Sequence, residues 1–133
     1  MKNPAALTLV LMLSLLSLHA QADAAGDAEA GGKLFKRICS GCHNIGPSVR
    51  SSFGPQLNGV VGRTAGSVAD YQYSEAMKSS GIVWTRDKLV AYLEDPKGVV
   101  PGTRMIFWGL SDVEKVDNLL AYLQTFQAEG TQQ

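Results

Sequence analysis

The sequence predicts an all-α fold of short helices and long loops, closed around a core that its own side chains do not complete. Three observations carry this. Val113, Val116, Leu119, Leu120, Leu123 and Phe126 recur at helical spacing. Between Cys42 and Tyr73 there is little periodicity and much Gly, Ser and Asn, and so long a loop is uncommon in a compact domain unless something organises it. Finally, a chain of about 110 residues with few strand signals has little apolar surface from which to build a core alone.

The N-terminus has its own composition. Lys2 precedes an apolar run over residues 7–18, broken by Thr8, Ser14 and Ser17. Ala20-Gln21-Ala22 and Ala22-Asp23-Ala24 then both fit an A-x-A cleavage pattern. This is the layout of a secretory signal peptide, and the run is shorter than the roughly 20 residues a bilayer crossing needs. Residues 1–22 are expected to be removed, with cleavage after Ala22 or Ala24, leaving one exported, soluble domain over 25–130. His19 and Met12 fall inside the segment and drop out as candidate ligands.

A length of 133 residues favours a single domain. The formal net charge is zero, which sets aside a nucleic-acid protein, whose surface needs a basic excess. Without Lys2 the mature chain stays close to neutral.

Helix signals follow in order. Asp27 is a candidate N-cap for a helix running through Leu34, Phe35 and Ile38 towards Cys39. Residues 74–80 read as a short helix ended by Gly81. Thr85 can cap a helix carrying Leu89, Val90, Tyr92 and Leu93, which Pro96 terminates. Ser111-Asp112-Val113-Glu114 is a capping box that opens the last helix. Its apolar stripe is expected to pack on the Leu34, Phe35 and Ile38 face.

The only two cysteines are Cys39 and Cys42. A disulfide between them would close a tiny loop and constrain little of the unfolded chain, and a thioredoxin-like pair would lie in a βαβ pattern. Residues 39–43 instead read Cys-Ser-Gly-Cys-His, the attachment pattern of c-type haem. Two cysteines three positions apart can each reach one vinyl group, and His43 can then place a ring nitrogen on the iron. A zinc site would need two more ligands, and outside the leader no other His or Cys exists.

Methionine is the usual second axial ligand in such proteins, and Met77 and Met105 remain after the leader is removed. Met105 lies on the Pro- and Gly-punctuated stretch 101–107. Met77 sits in a short helical stretch and reads as a packing residue.

Residues 27–126 resemble a class I cytochrome c, close to the mitochondrial and alphaproteobacterial cytochrome c2 type. The matching segments are Cys39 to His43, Gly54-Pro55-Gln56-Leu57, Gly62-Arg63, Tyr71 and Tyr73, Gly81-Ile82-Val83-Trp84, Tyr92-Leu93-Glu94-Asp95-Pro96, residues 101–107 and residues 119–123, in the family's order and spacing. The resemblance implies the small cytochrome c fold wrapped around one haem c, covalent through Cys39 and Cys42, with His43 and Met105 on the iron. It implies that the Pro55 carbonyl accepts the other ring N–H of His43, and that Arg63, Tyr73 and Trp84 hold a buried propionate. Tyr92 and Thr103 stand near the Met sulfur, and Phe107 shields that side. Phe35 and Tyr122 match a contact between the terminal helices.

The implied function is that of a periplasmic electron carrier, not an enzyme. It would cycle between Fe(III) and Fe(II) as a monomer. Its donor would be a quinol-oxidising complex or dehydrogenase, and its acceptor a terminal oxidase, reductase or photosynthetic centre. Two other classes compete: a peroxidase-like haem protein in which Met105 leaves the iron, and a gas-binding protein of the cytochrome c′ type. The 101–107 loop argues against the first. The second carries its motif near the C-terminus, unlike Cys39. The sequence also departs from the family. Met77 stands where a polar residue is usual, and Trp108 where a small one is. Ile38, Gly98, Ser111 and Asp112 occupy positions where Lys is common, so steering by an acidic partner is expected to be weaker.

Overall fold

The computed structural model describes residues 26–127. The expected leader, its cleavage points and the last residues of the 25–130 domain lie outside the described residues. Among the described residues five helices follow one another: α1 (Ala28–Ile38), α2 (Glu75–Lys78), α3 (Arg86–Glu94), α4 (Pro96–Val99) and α5 (Val113–Gln124). None is long and apolar enough to cross a membrane.

The Asp27 carboxylate caps α1, accepting from the amides of Glu29 at 2.8 Å and Ala30 at 3.1 Å. Glu29 in the first turn and Lys36 and Arg37 in the last suit the helix dipole. The Asp27 amide donates to Asn118 Oδ1 at 2.6 Å, tying the start of α1 to α5. The two helices pack as expected: Leu34 and Phe35 are buried in one cluster with Val116, Leu119, Leu120 and Leu123, and the Phe35 and Tyr122 rings lie 5.5 Å apart. Gly31 makes the approach possible, because a Cβ there would strike the Asn118 carbonyl.

Several local expectations need correction. Ile38 does not join the helix pair; it is partly exposed and lines a cavity. Val113, assigned to the apolar stripe, is 72% exposed in the first turn of α5. The cap of α5 is Asp112 rather than Ser111. Its Oδ1 accepts from the Lys115 amide at 3.1 Å and its Oδ2 from Lys115 Nζ at 2.6 Å, an ion pair that a neutral serine hydroxyl does not offer. Phe126 lies past the helix end yet still packs edge-on against Tyr122. Pro96 ends α3 but also opens α4 at its first helical turn, where a missing N–H costs nothing.

The long loop is organised in part by its own polar side chains. Asn58 accepts from the Gly46 amide at 2.9 Å and donates to the Gly46 carbonyl at 2.7 Å. Asp70 accepts from the Ser51 amide at 3.0 Å and its hydroxyl at 2.6 Å. The Gly59 amide donates to the Phe126 carbonyl at 2.7 Å. Residues 62–65 run antiparallel to 82–84 through amide bonds from Gly62 to Trp84, Trp84 to Arg63 and Ala65 to Ile82. These ties hold the loop as one wall of a cavity.

Candidate functional site

The end of α1 builds the first wall. The Cys39 amide still bonds to the Phe35 carbonyl, and the amides of Cys42 and His43 both return to the Cys39 carbonyl at 3.0 and 2.9 Å. This tight turn brings Cys39, Cys42 and His43 onto one side of a cavity of about 400 Å³. The Gly54 amide then bonds to the Cys42 carbonyl at 2.8 Å and lays the Gly54–Pro55 backbone along the imidazole. A Cβ on Gly54 would sit 2.5 Å from His43 Cε1, so only glycine fits.

His43 Nδ1 lies 2.8 Å from the Pro55 carbonyl. A carbonyl only accepts, so Nδ1 carries the proton and Nε2 keeps its lone pair. Burial pushes the imidazole below its ordinary pKa; the Pro55 bond opposes this, and the Arg63 charge adds to it. The ring is thereby kept neutral and available as a donor of electrons. Burial also pushes the Cys39 thiol up to about 11. Both cysteines are free.

Further lining comes from later in the chain. Tyr92 from α3 and Thr103 from the following loop share a hydrogen bond of 2.7 Å between their hydroxyls, and Thr103 Oγ1 also accepts from the Met105 amide at 3.3 Å. That pair fixes the backbone of Met105, whose side chain is half-buried on the cavity wall with Phe107. Trp84 packs on Tyr92 at 4.8 Å between ring centres. Arg63 faces the cavity half-buried, and burial lowers its pKa. Its Nη1 and Nη2 donate to the carbonyls of Asn58 at 2.8 Å and Gln56 at 3.0 Å. A guanidinium has five N–H donors, so others remain for an anion.

All eleven site residues expected from the sequence line this one cavity: Cys39, Cys42, His43, Pro55, Arg63, Tyr73, Trp84, Tyr92, Thr103, Met105 and Phe107. Met77, read as a packing residue, is buried and lines it too. Gly54 was not singled out for its contact with the imidazole, although Gly-Pro before a loop was a visible signal. The carbonyls of Gln56 and Asn58 that hold Arg63 leave no sequence signature, because any residue supplies a carbonyl.

A family model described as Cytochrome c matches residues 28–127. The chain belongs to the cytochrome c family. It is 44% identical over 123 residues to cytochrome c2 of Blastochloris viridis, covering 92% of this chain and 96% of that one. It is 46% identical over 105 residues to cytochrome c-550 of Nitrobacter winogradskyi, covering 79% and 95%. Among solved structures it is similar to cytochrome cH from Methylobacterium extorquens, with a TM-score of 0.70, 48% identity, and coverage of 75% of this chain and 99% of that one.

This cytochrome c is thus an electron-transfer protein rather than an enzyme, of the class I type, and its family carries a covalently bound c-type haem. The residues fit that group. Two unpaired cysteines share a wall with a neutral histidine. Most of the remaining lining is apolar, from Phe35, Leu57, Val60, Leu89, Leu93, Leu119 and Leu123. No buried side-chain polar atom among the described residues lacks a partner, as a dry site for a large apolar ring requires.

Proposed function

We propose that this cytochrome c is a soluble periplasmic carrier of single electrons, in which His43 and Met105 would ligate the haem iron and Cys39 and Cys42 would form the thioether attachments. The observation that supports this best is the cavity itself, which both His43 and Met105 line. The haem, when bound, supplies a one-electron Fe(III)/Fe(II) couple. The chain does the rest. Pro55 orients His43 and fixes its tautomer. Thr103 and Tyr92 hold the Met105 backbone. Arg63, Tyr73 and Trp84 present a cation and aromatic donors to the anionic groups of the ligand. The apolar lining excludes water, which keeps the surroundings of the charge change fixed.

With both residues on the iron no position would be left for a substrate, so the site would pass electrons and transform nothing. A donor such as a quinol-oxidising complex or dehydrogenase and an acceptor such as a terminal oxidase, reductase or photosynthetic centre fit this role. The protein acts as a monomer in brief encounters. The test is a redox titration of the haem-loaded protein, repeated under carbon monoxide. A single one-electron transition and an unchanged reduced spectrum under the gas are expected. Ready binding of carbon monoxide would contradict the closed site and favour a ligand-binding or peroxidase-like role.

A further inference from the structure

Among the described residues Asn44 precedes Ile45, Asn118 precedes Leu119, and Asn58 alone of the asparagines precedes a glycine, Gly59. That dipeptide has a chemistry of its own. The backbone nitrogen of the following residue can attack the asparagine side-chain carbonyl carbon, and a glycine there has no side chain to block the approach. The nitrogen gives up its proton and bonds to that carbon, closing a cyclic imide. The bond to the side-chain nitrogen breaks, and that nitrogen leaves as ammonia, taking the proton. Water then opens the imide, leaving aspartate or the isomer whose main chain runs through the side-chain carbon. No oxidant or reductant takes part.

The fold holds each group of this reaction away from it. Asn58 Oδ1 accepts from the Gly46 amide at 2.9 Å and Nδ2 donates to the Gly46 carbonyl at 2.7 Å, so the carboxamide is fixed against another loop and does not swing over the Gly59 nitrogen. The Asn58 amide donates to Gln56 Oε1 at 2.7 Å, and its carbonyl accepts from Arg63 Nη1 at 2.8 Å, which fixes the main chain on either side. The Gly59 N–H, whose proton has to leave, donates instead to the Phe126 carbonyl at 2.7 Å.

Phe126 stands where this lock is most open to release. It lies past Thr125, the C-cap of α5, and its own amide returns to the Leu123 carbonyl at 3.2 Å. Fraying ends open at far lower free energy than a core does. Its ring packs on Tyr122 with 5.2 Å between centres, and it is also the neighbour of Gly46, where a Cβ would lie 3.9 Å from Phe126 Cε1. Release of the end of α5 therefore frees the Gly59 amide and uncovers the Gly46 contact together.

We infer that Asn58–Gly59 is a deamidation site that the fold keeps shut, with Phe126 as the latch and local opening of the end of α5 as the event that admits the reaction. Conversion to aspartate sets a carboxylate oxygen against the Gly46 carbonyl in place of an N–H donor. It breaks the tie between the segment after His43 and the turn whose carbonyls hold Arg63. A covalent change at a residue outside the cavity lining thus reaches a residue within it.

The haem-loaded protein is incubated at mildly alkaline pH and digested, and its asparagine peptides are read by mass spectrometry for the amide-to-acid change, beside the same protein held in denaturant. In denaturant Asn58 should convert well ahead of Asn44 and Asn118, and in the native protein many times more slowly. Phe126→Ala, which keeps the carbonyl and removes the ring, should convert severalfold to about tenfold faster while folded, the worth of one aromatic pair. Asp112→Ala, at the other end of α5, lowers stability without touching the latch and should convert at the wild-type rate. Circular dichroism checks that the variants fold, and Phe126→Leu takes the place of an alanine variant that does not. A native protein converting as fast as the denatured one overturns the lock. Asn58 converting no faster than Asn44 in denaturant overturns the site. The latch is overturned by a Phe126 variant that converts at the wild-type rate, or by an Asp112→Ala protein accelerated as much.

Discussion

Replacing Gly31 by alanine sets two physical effects against each other. Alanine in a helix interior is normally favoured over glycine by about 1 kcal/mol, so propensity alone expects a more stable protein. The helix pair says otherwise. A Cβ at residue 31 would collide with the Asn118 carbonyl and lie 2.9 Å from Tyr122 Cβ. Both obstacles are fixed to the α5 backbone, so no rotamer change relieves them and the helices must move apart. Overpacking of this kind typically costs about 1–3 kcal/mol, occasionally more. Here the collision is with backbone in the main helix contact, which favours the upper end. After the propensity gain a net loss of about 2 kcal/mol remains, lowering the unfolding midpoint by about 10 °C. Thermal unfolding of the haem-loaded protein followed by circular dichroism measures it. A Gly31→Ala protein as stable as wild type would refute the claim that backbone contact at this crossing sets the packing.

The cap of α5 offers a second test. Asp112→Ala is expected to lower the denaturant midpoint and Ser111→Ala to leave it almost unchanged; the reverse order would restore Ser111 as the cap. A third concerns acid. The Ser51 hydroxyl, then its amide, hold the Asp70 carboxyl below its ordinary value of 3.8. The stabilisation from this contact is therefore present above pH 3.8 and lost as pH falls through the lowered pKa. Ser51→Ala should move the Asp70 titration up towards the ordinary value in a carboxyl-shift titration, and an unmoved titration would show that the hydroxyl is not the cause.

What could be read in the sequence was what local chemistry writes there. Asp27 and Thr85 are caps whose side chains bond the next turn, and the Leu119, Leu120 and Leu123 spacing repeats every turn; both signals survive folding unchanged. The cap of α5 was displaced by one residue because Ser111 and Asp112 are both competent, and only the second also reaches Lys115. The long loop was illegible because Asn58 to Gly46 and Ser51 to Asp70 join residues far apart in the chain without leaving a period. Gly31 looked like poor helix propensity, and only its distance to Asn118 shows what it is for. In the site, Cys39, Cys42 and His43 were legible from spacing alone. Pro55, Arg63, Tyr73, Trp84, Tyr92, Thr103 and Phe107 came through resemblance, since each reaches the cavity only because the fold carries it there.

The central proposal is that His43 and Met105, which line one cavity, both ligate the iron. The most direct measurement is the weak far-red absorption band that a thioether gives on ferric haem iron, recorded at neutral pH in the wild type, Met105→Ala and Met77→Leu. The band is expected in the wild type and in Met77→Leu and should vanish in Met105→Ala. A band that survives in Met105→Ala but is lost in Met77→Leu would make Met77 the ligand, and absence of the band from the wild type would contradict Met ligation altogether.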